Sequence, residues 1–507
     1  MEVAFDFRDL FILDLANNHQ GSVEHGLAVI RQHGDVVRNH GVRAAVKFQF
    51  RDLDTLIHPQ HRSNGQNKHI PRFLSTRLNR EQYERLFDEV KAQGLYTMCT
   101  PFDEPSAELV AEMGFDLIKV ASCSAKDWPL IEAVAETNLP VVFSTGGLRV
   151  HDIDNLVVFS EHRALTFALM HCVAIYPTPP EACNLANIAM LRQRYGSTCV
   201  GWSTHEDPDA VAPLQMAVAL GAQLFERHVG LANDTFALNA YSSSPEQIHH
   251  WLAAWKIAQA LMGSFERGEA LEEEAASLRS LQRGVYAKRP LKSGDQLEPD
   301  DVYLAMPLQE GQLDSGKFRG GIVVENEIEP DQPIMEGSAS LPELSDGQRL
   351  KQYVHQVKAM LNIAGVKLGR EFYVEYSHHY GIPNFGRTGC VLIDCVNREY
   401  CKKILVQLPG QSHPYHFHRL KEETFQVLWG EIFLDIDGEE RRMVPGETAV
   451  VLPGAWHKFR TERGCVVEEI STTHRNSDSV YKDPAINKMP REERKTVVKH
   501  WGRFEIA

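Results

Sequence analysis

Eight short apolar runs, each followed by a helical pattern, set the architecture of the first half of the chain. They are Phe11–Leu15, Ala44–Phe50, Leu95–Thr100, Leu117–Val120, Val141–Ser144, Ala168–Cys172, Cys199–Thr204 and Gln223–His228. Strand and helix alternating this many times over roughly 260 residues predict a (β/α)8 barrel. A last helix, Pro245–Met262, carries Trp251 and Trp255 at helical spacing, which reads as core or interface. In such a barrel the C-terminal strand ends form one rim, and the chemistry lies there.

The stretch from Cys199 to Gly230 shows the unit most clearly. One run ends in Trp202-Ser203-Thr204-His205, and the pair Asp207-Pro208 signals a helix start. A helical pattern extends to Leu220, Gly221 stops it, and the next run ends in Glu226-Arg227-His228. His205 and His228 thus fall on neighbouring strand ends and face a common pocket, a candidate divalent-metal pair. The other rim residues, in order, are Asp14 with Asn17, Asn18 and His19; Lys47 and Gln49; Thr100; Lys119 and Ser122; Ser144 and Thr145; and Tyr176. Two lysines among serine and threonine hydroxyls suit a phosphate and a carboxylate, because each anionic oxygen needs donors in a dry pocket.

A net charge of −15 argues against a nucleic-acid surface, so an anionic substrate needs a local basic site such as this one. The nine cysteines contain no CxxC pair and suggest neither a zinc knuckle nor a disulfide framework. The opening MEVAFDFRDLFI lacks a basic segment followed by an apolar run, and no stretch reaches membrane-spanning length. The expectation is a cytoplasmic protein that binds no membrane.

The stretches LDLANNHQGS, AVKFQF, CTPFDEPS, LIKVASCS, FSTGG, MHCVAIYPTP, GWSTHE and FERHVG, in this order, resemble the sialic acid synthase family. The resemblance implies condensation of phosphoenolpyruvate with an N-acetylated hexosamine or related aldose to give a nonulosonic acid, with release of phosphate. It implies that Lys47, Thr100, Lys119, Ser122, Ser144 and Ser203 hold phosphoenolpyruvate and that His205 and His228 bind Mn²⁺ or Mg²⁺. Gln49, Tyr176, Glu226 and Asn239 fall on pocket positions, and Asp14, Lys47, Lys119 and Glu226 are the candidate catalytic groups. Glu226 is the candidate for orienting or deprotonating metal-bound water. Asp14 stands where the family has Glu, Ala174 where Asn is common, Asn239 where Asp is common, and Thr204 and Glu206 around His205 for the usual Asp and Thr. These departures lie on the metal and sugar side, so the implied acceptor is not plain N-acetylmannosamine. Related synthases of 3-deoxy-ulosonates share the barrel and the donor.

Beyond a charged helical linker at 266–280, residues 281–340 form a small module of short strands with Gly-Asp and Pro-Asp turns. The module resembles the antifreeze-like (SAF) domain, with Arg283 and Ala287 matching its opening and Gly284 in place of Ser. In the family it swaps onto a partner's barrel and caps the sugar site, so a domain-swapped homodimer is implied. An arginine found in relatives near Met306 is absent.

After a helical linker at 341–368, residues 369–507 are rich in short strand patterns and predict a small β-barrel. Gly410, His416, His418, Glu423 and Gly430 reproduce the spacing G-x5-H-x-H-x4-E-x6-G, which resembles the first cupin motif. Gly446, Pro453, Gly454 and His457 follow as the second, with Thr461 where asparagine is common. A strand puts His416 and His418 on one face, and Glu423 and His457 complete a site for Zn²⁺, Fe²⁺, Mn²⁺ or Ni²⁺. Its open roles are sugar isomerisation or epimerisation as the principal catalyst, sugar binding, oxygenase chemistry and oligomer contacts. A sugar-directed role is expected. Two further expectations are a solvated histidine-rich lid at 58–69 and a helix over Arg491–Trp501.

Overall fold

A computed structural model describes residues 4–62, 67–264, 268–370, 372–499 and 501. The chain divides into two compact units, Met1–Gly268 and Glu269–Ala507.

The first unit is a closed eight-stranded parallel barrel. Its strands are β1 (Leu10–Asp14), β2 (Arg43–Phe50), β3 (Tyr96–Pro101), β4 (Leu117–Val120), β5 (Val141–Ser144), β6 (Phe167–Cys172), β7 (Cys199–Thr204) and β8 (Leu224–His228). Side chains alternate across each strand, and this alternation builds the site. Leu10, Ile12, Ala45, Met98, Leu117, Val142, Ala168, Met170 and Leu224 cluster inside the barrel. Phe11, Leu13, Val46, Phe48, Ile118, Phe143, Leu169, Val200, Trp202 and Phe225 join the layer under the helices. Continuing the inward parity by two residues brings Asp14, Lys47, Thr100, Lys119, Ser144, Cys172, Ser203 and Glu226 to the top of the interior. Register agrees, because Asp14 pairs with Lys47 on one side and with His228 on the other. Gly201 lets β7 approach β8, since a Cβ there would collide with the Leu224 carbonyl.

The closing helix spans Pro245–Met262, capped by Ser244 with Gln247 reaching back. Trp251 is fully buried beside Phe11. The helix expected after Asp207-Pro208 begins only at Ala212. The Asp207 carboxylate instead accepts from the Asp209 N–H and its carbonyl from the Ala210 N–H, a local turn that delays the helix. In the histidine-rich stretch, Pro59–His61 form one 3₁₀ turn and His69–Ser75 a helix, both without a buried residue; positions 63–66 lie outside the described residues.

In the second unit a helix covers Glu272–Leu281. Two small antiparallel pairs follow, Gly284–Ala287 with Val302–Ala305 and Val323–Val324 with Ala339–Ser340. They enclose a compact core that includes Val285, Leu297, Leu313, Ile322 and Ile334. The remainder is antiparallel. A seven-stranded sheet runs in the order Thr448–Val451, Glu423–Gly430, Cys465–Thr472, Tyr400–Gln407, Cys390–Asn397, Tyr373–Ser377, Lys495–Lys499. A five-stranded sheet runs Glu439–Met443, Ile432–Ile436, His457–Arg460, His416–His418, Ser479–Tyr481. Leu405, Phe425 and Val467 of the first meet Ile432, Leu434 and Phe459 of the second in one core.

Two expectations need correction here. The helix Asp346–Ile363 is more than a linker: Leu350, Val354, Val357 and Leu361 pack on Val374, Tyr376, Ile393 and Val406 of the large sheet. The tail is not one helix. Arg491–Arg494 make a single turn, and Lys495–Lys499 then pair as an antiparallel edge strand with Tyr373–Ser377. The β-branched run Thr496-Val497-Val498 favours that strand, and the free sheet edge outweighs the charged, helix-favouring start.

Candidate active site of the barrel and metal centre of the second unit

Six side chains at the top of the barrel interior form a continuous polar chain. Lys47 Nζ lies 3.0 Å from Asp14 Oδ2 and 3.0 Å from Glu226 Oε2. Glu226 Oε1 lies 3.2 Å from Lys119 Nζ and accepts from Ser203 Oγ at 2.8 Å. Lys119 also donates to Ser144 Oγ at 2.6 Å. All six are buried, so each charge has lost its water and depends on its partner. Burial opposes the Lys47 ammonium, but Asp14 and Glu226 more than offset it and hold Lys47 above its usual range. Burial likewise opposes the Glu226 carboxylate, yet Lys119, Lys47 and Ser203 keep it ionised well below the ordinary range. For Lys119 burial prevails, reinforced by the Lys47 charge, and its ammonium is lowered despite Glu226. Glu226 is therefore first a counterion for both lysines.

The metal-side residues adjoin this chain. His228 Nδ1 lies 3.4 Å from Asp14 Oδ2, and the His205 and His228 rings are 5.3 Å apart. His205 Nδ1 meets the Val173 carbonyl at 2.9 Å. A carbonyl only accepts, so Nδ1 carries the proton and Nε2 keeps a free lone pair. Burial, helped by the His228 ring, lowers His205 to about 3, so the neutral, ligating form dominates near neutral pH. The pair fits a divalent ion. Among the described residues no third His, Cys, Asp or Glu completes a three-ligand group with them.

Other expected residues sit around this centre. Gln49 Nε2 reaches Asp14 Oδ2 at 3.4 Å. Thr100 is in register with Gln49, buried, with a hydroxyl that has no protein partner, as a ligand-facing donor would be. Ser122 Oγ accepts from the Gly146 N–H at 3.0 Å, tying β4 to the loop after β5. Tyr176 is about half exposed and lays its ring 4.3 Å from that of His205. Asn239 stands apart. Its Oδ1 caps the turn at Tyr241 and Ser242, and its amide donates to Asn18 rather than to a residue of the central chain. Tyr241, packed against Tyr176 and His228, was not picked out by sequence reasoning and belongs to this wall.

In the second unit His416, His418 and His457 have ligand nitrogens all within 4.8 Å of one another, and all three are buried. His416 Nδ1 and His457 Nδ1 meet the Pro414 and Ala455 carbonyls at 3.0 and 3.1 Å, which turns both Nε2 atoms inward. Glu423 lies 3.3 Å from His418 Nε2 and 3.1 Å from His457 Nε2, whereas Glu422 is exposed. Three imidazoles and a carboxylate converging in a buried cavity fit a transition-metal ion. The cavity beside them measures about 40 Å³. Sequence reasoning missed Lys421. It is buried, pairs directly with Glu423, and lies 2.8 Å from Glu469.

Comparison with known proteins agrees with this geometry. Residues 36–267 match the NeuB family and residues 404–467 the Cupin domain. A solved structure assigned to spore coat polysaccharide biosynthesis, protein E from Chromobacterium violaceum, is 45% identical with a TM-score of 0.64, covering 66% of this chain and 100% of its own. The chain belongs to the NeuB family. Other NeuB-like relatives are the N-acetylneuraminate-9-phosphate synthase of Drosophila melanogaster, 27% identical over 64% of this chain and 95% of its own length, and SpsE of Bacillus subtilis, 29% identical over 59% and 84%. Each covers about two thirds of the chain or less. Among the described residues no helix is long and apolar enough to cross a membrane.

Proposed function

We propose that this NeuB-family, phosphoenolpyruvate-condensing transferase joins the donor to an amino-hexose or related aldose, giving a nonulosonic acid and inorganic phosphate. The observation that carries the reading is the pair of buried lysines, Lys47 and Lys119, which share Glu226 at the top of the barrel interior beside Ser144, Ser203 and the His205–His228 pair. His205 and His228 are the residues that would hold the divalent ion, which when bound supplies Lewis acidity toward the aldehyde oxygen. Lys119 and Ser144 offer donors to one anionic group of phosphoenolpyruvate, and Lys47 with Thr100 to the other. C3 of the enol attacks the aldehyde carbon, water adds at C2, and the C2–O bond to phosphate breaks. Glu226 gives up its lysine contacts as the anion arrives and is then placed to accept a proton from the attacking water.

The substitutions Asp14 and Ala174 support an acceptor other than N-acetylmannosamine. A partner subunit's SAF module is the proposed cap of the sugar site. For the cupin we propose a metal-holding role, supported by the three converging imidazoles and the Glu423 carboxylate between His418 and His457. The test is phosphate release from phosphoenolpyruvate by Mn²⁺-loaded protein across a panel of amino and neutral aldoses. Release with one acceptor, abolished by His205→Ala and retained by His416→Ala, is expected. Absence of release with every acceptor would sink the synthase reading. Dependence on His416 with one epimer but not another would instead give the cupin the isomerase role.

A further inference from the structure

The charges inside the barrel cancel: Lys47 and Lys119 are matched by Asp14 and Glu226. One cation of the same network is unmatched. Arg51 follows directly on β2, and its guanidinium lies between two aromatic rings, 4.1 Å from the centre of Phe73 and 3.7 Å from that of Phe102. Its Nη2 donates to Gln49 Oε1 at 2.9 Å, and Gln49 in turn donates to Asp14. Arg51 thus joins the chain Gln49–Asp14–Lys47–Glu226–Lys119. Among the described residues no carboxylate forms an ion pair with it.

We propose that Arg51 binds a phosphate group of a substrate at the rim of the barrel, an assignment that rests on the synthase reading above. A guanidinium offers five N–H donors in a rigid plane. Phe73 and Phe102 cover the two faces of that plane and favour it electrostatically. Among the described residues only one of those donors is spent, on Gln49. A half-buried cation without a counterion is costly, and an incoming phosphate, which accepts two parallel N–H bonds, removes that cost. Burial already presses the guanidinium down to about 10, so it gains by acquiring an anion. The same contact holds Gln49 with its carbonyl turned to Arg51 and its NH2 turned to the pocket.

The phosphate has two possible sources, the donor and a phosphorylated acceptor, and one experiment separates them. Binding of phosphoenolpyruvate and of inorganic phosphate is measured by titration calorimetry on Mn²⁺-loaded wild type, Arg51→Gln and Arg51→Lys. KM is then measured for free and phosphorylated hexosamines. If the donor is the ligand, Arg51→Gln weakens phosphoenolpyruvate binding at least tenfold and Arg51→Lys recovers part of it. If the acceptor is the ligand, donor binding is unchanged and the preference for a phosphorylated over a free sugar falls at least tenfold. Changes within twofold in both arms, in a variant whose melting temperature matches wild type, overturn the proposal and leave the synthase reading intact. Wild type that binds neither phosphoenolpyruvate nor phosphate overturns both.

Discussion

Lys119 on β4 and Glu226 on β8 meet at 3.2 Å, four strands apart in either direction around the closed barrel. The pair crosses the mouth of the barrel, and through its other oxygen Glu226 also holds Lys47 of β2.

Replacing Glu226 by Gln should therefore act on stability before it acts on chemistry. Two buried ammonium groups lose their shared counterion, at a cost on the order of 3–5 kcal/mol. Urea unfolding of the ligand-free protein measures it. Inorganic phosphate should restore more stability to the variant than to wild type, since it occupies the place of the lost carboxylate. No destabilisation, or no extra gain from phosphate, would mean that the lysines do not depend on Glu226.

Metal content separates the two histidine sites. After loading with Zn²⁺ and dialysis, His416→Ala and His457→Ala should each lose one tightly held ion per chain. His205→Ala should retain it. The expected loss of affinity exceeds about 100-fold, more than the 10–100-fold typical of disturbing groups behind the ligands. Elemental analysis gives the answer, and an unchanged ion count in His416→Ala would refute the three-histidine centre.

Lys421 competes for the carboxylate of that centre. It pairs with Glu423 and lies 2.8 Å from Glu469. Lys421→Met should weaken the metal-free protein by several kcal/mol, because Glu469 is left buried without its cation, with only the Ser471 hydroxyl donating to it. It should also raise Zn²⁺ affinity at least several-fold, because Glu423 is released. Competition against a chromophoric chelator reads the second effect. Equal affinity in both proteins would show that Lys421 and the ion do not share Glu423.

Acid sensitivity should trace to Glu375. Its carboxylate is buried and lies 2.6 Å from both Lys495 Nζ and Arg491 Nη2. Burial alone would raise it, but these cations, chiefly Lys495, bring it down to about 2 from the ordinary 4.5. A lowered carboxylate stabilises the fold above the unfolded value and ceases to do so as pH falls through the folded one. The contribution, about 3 kcal/mol near neutrality, should thus disappear between about pH 4.5 and 2. Glu375→Gln should flatten that part of the curve of unfolding free energy against pH. A parallel curve in the variant would assign the acid limb elsewhere.

What was legible in the sequence is what depends on local periodicity. Val141–Ser144 and Cys199–Thr204 end where their apolar runs end, and two-residue parity then fixes which side chains enter the barrel. His416, His418, Glu423 and His457 were legible because fixed spacing on strands brings them to one face. Arg51 and Lys421 were not, since nothing near them in sequence tells that two rings stack on one or that Glu469 waits for the other. Asn239 shows the opposite failure: a matching position whose side chain is occupied by its own turn. The tail strand failed for a third reason, because an edge to pair with is a property of the folded sheet alone.

That edge pairing has a topological consequence. Tyr373 opens the large sheet of the second unit, and its partner Lys499 lies in the last described strand. The two ends of this β-structure are therefore neighbours on adjacent strands. A fold with adjoining ends can be inserted, excised or circularly permuted with little disturbance to its interior. Rewiring the chain by linking the ends and opening the hairpin between Ile432–Ile436 and Glu439–Met443 should leave the three histidines facing one another.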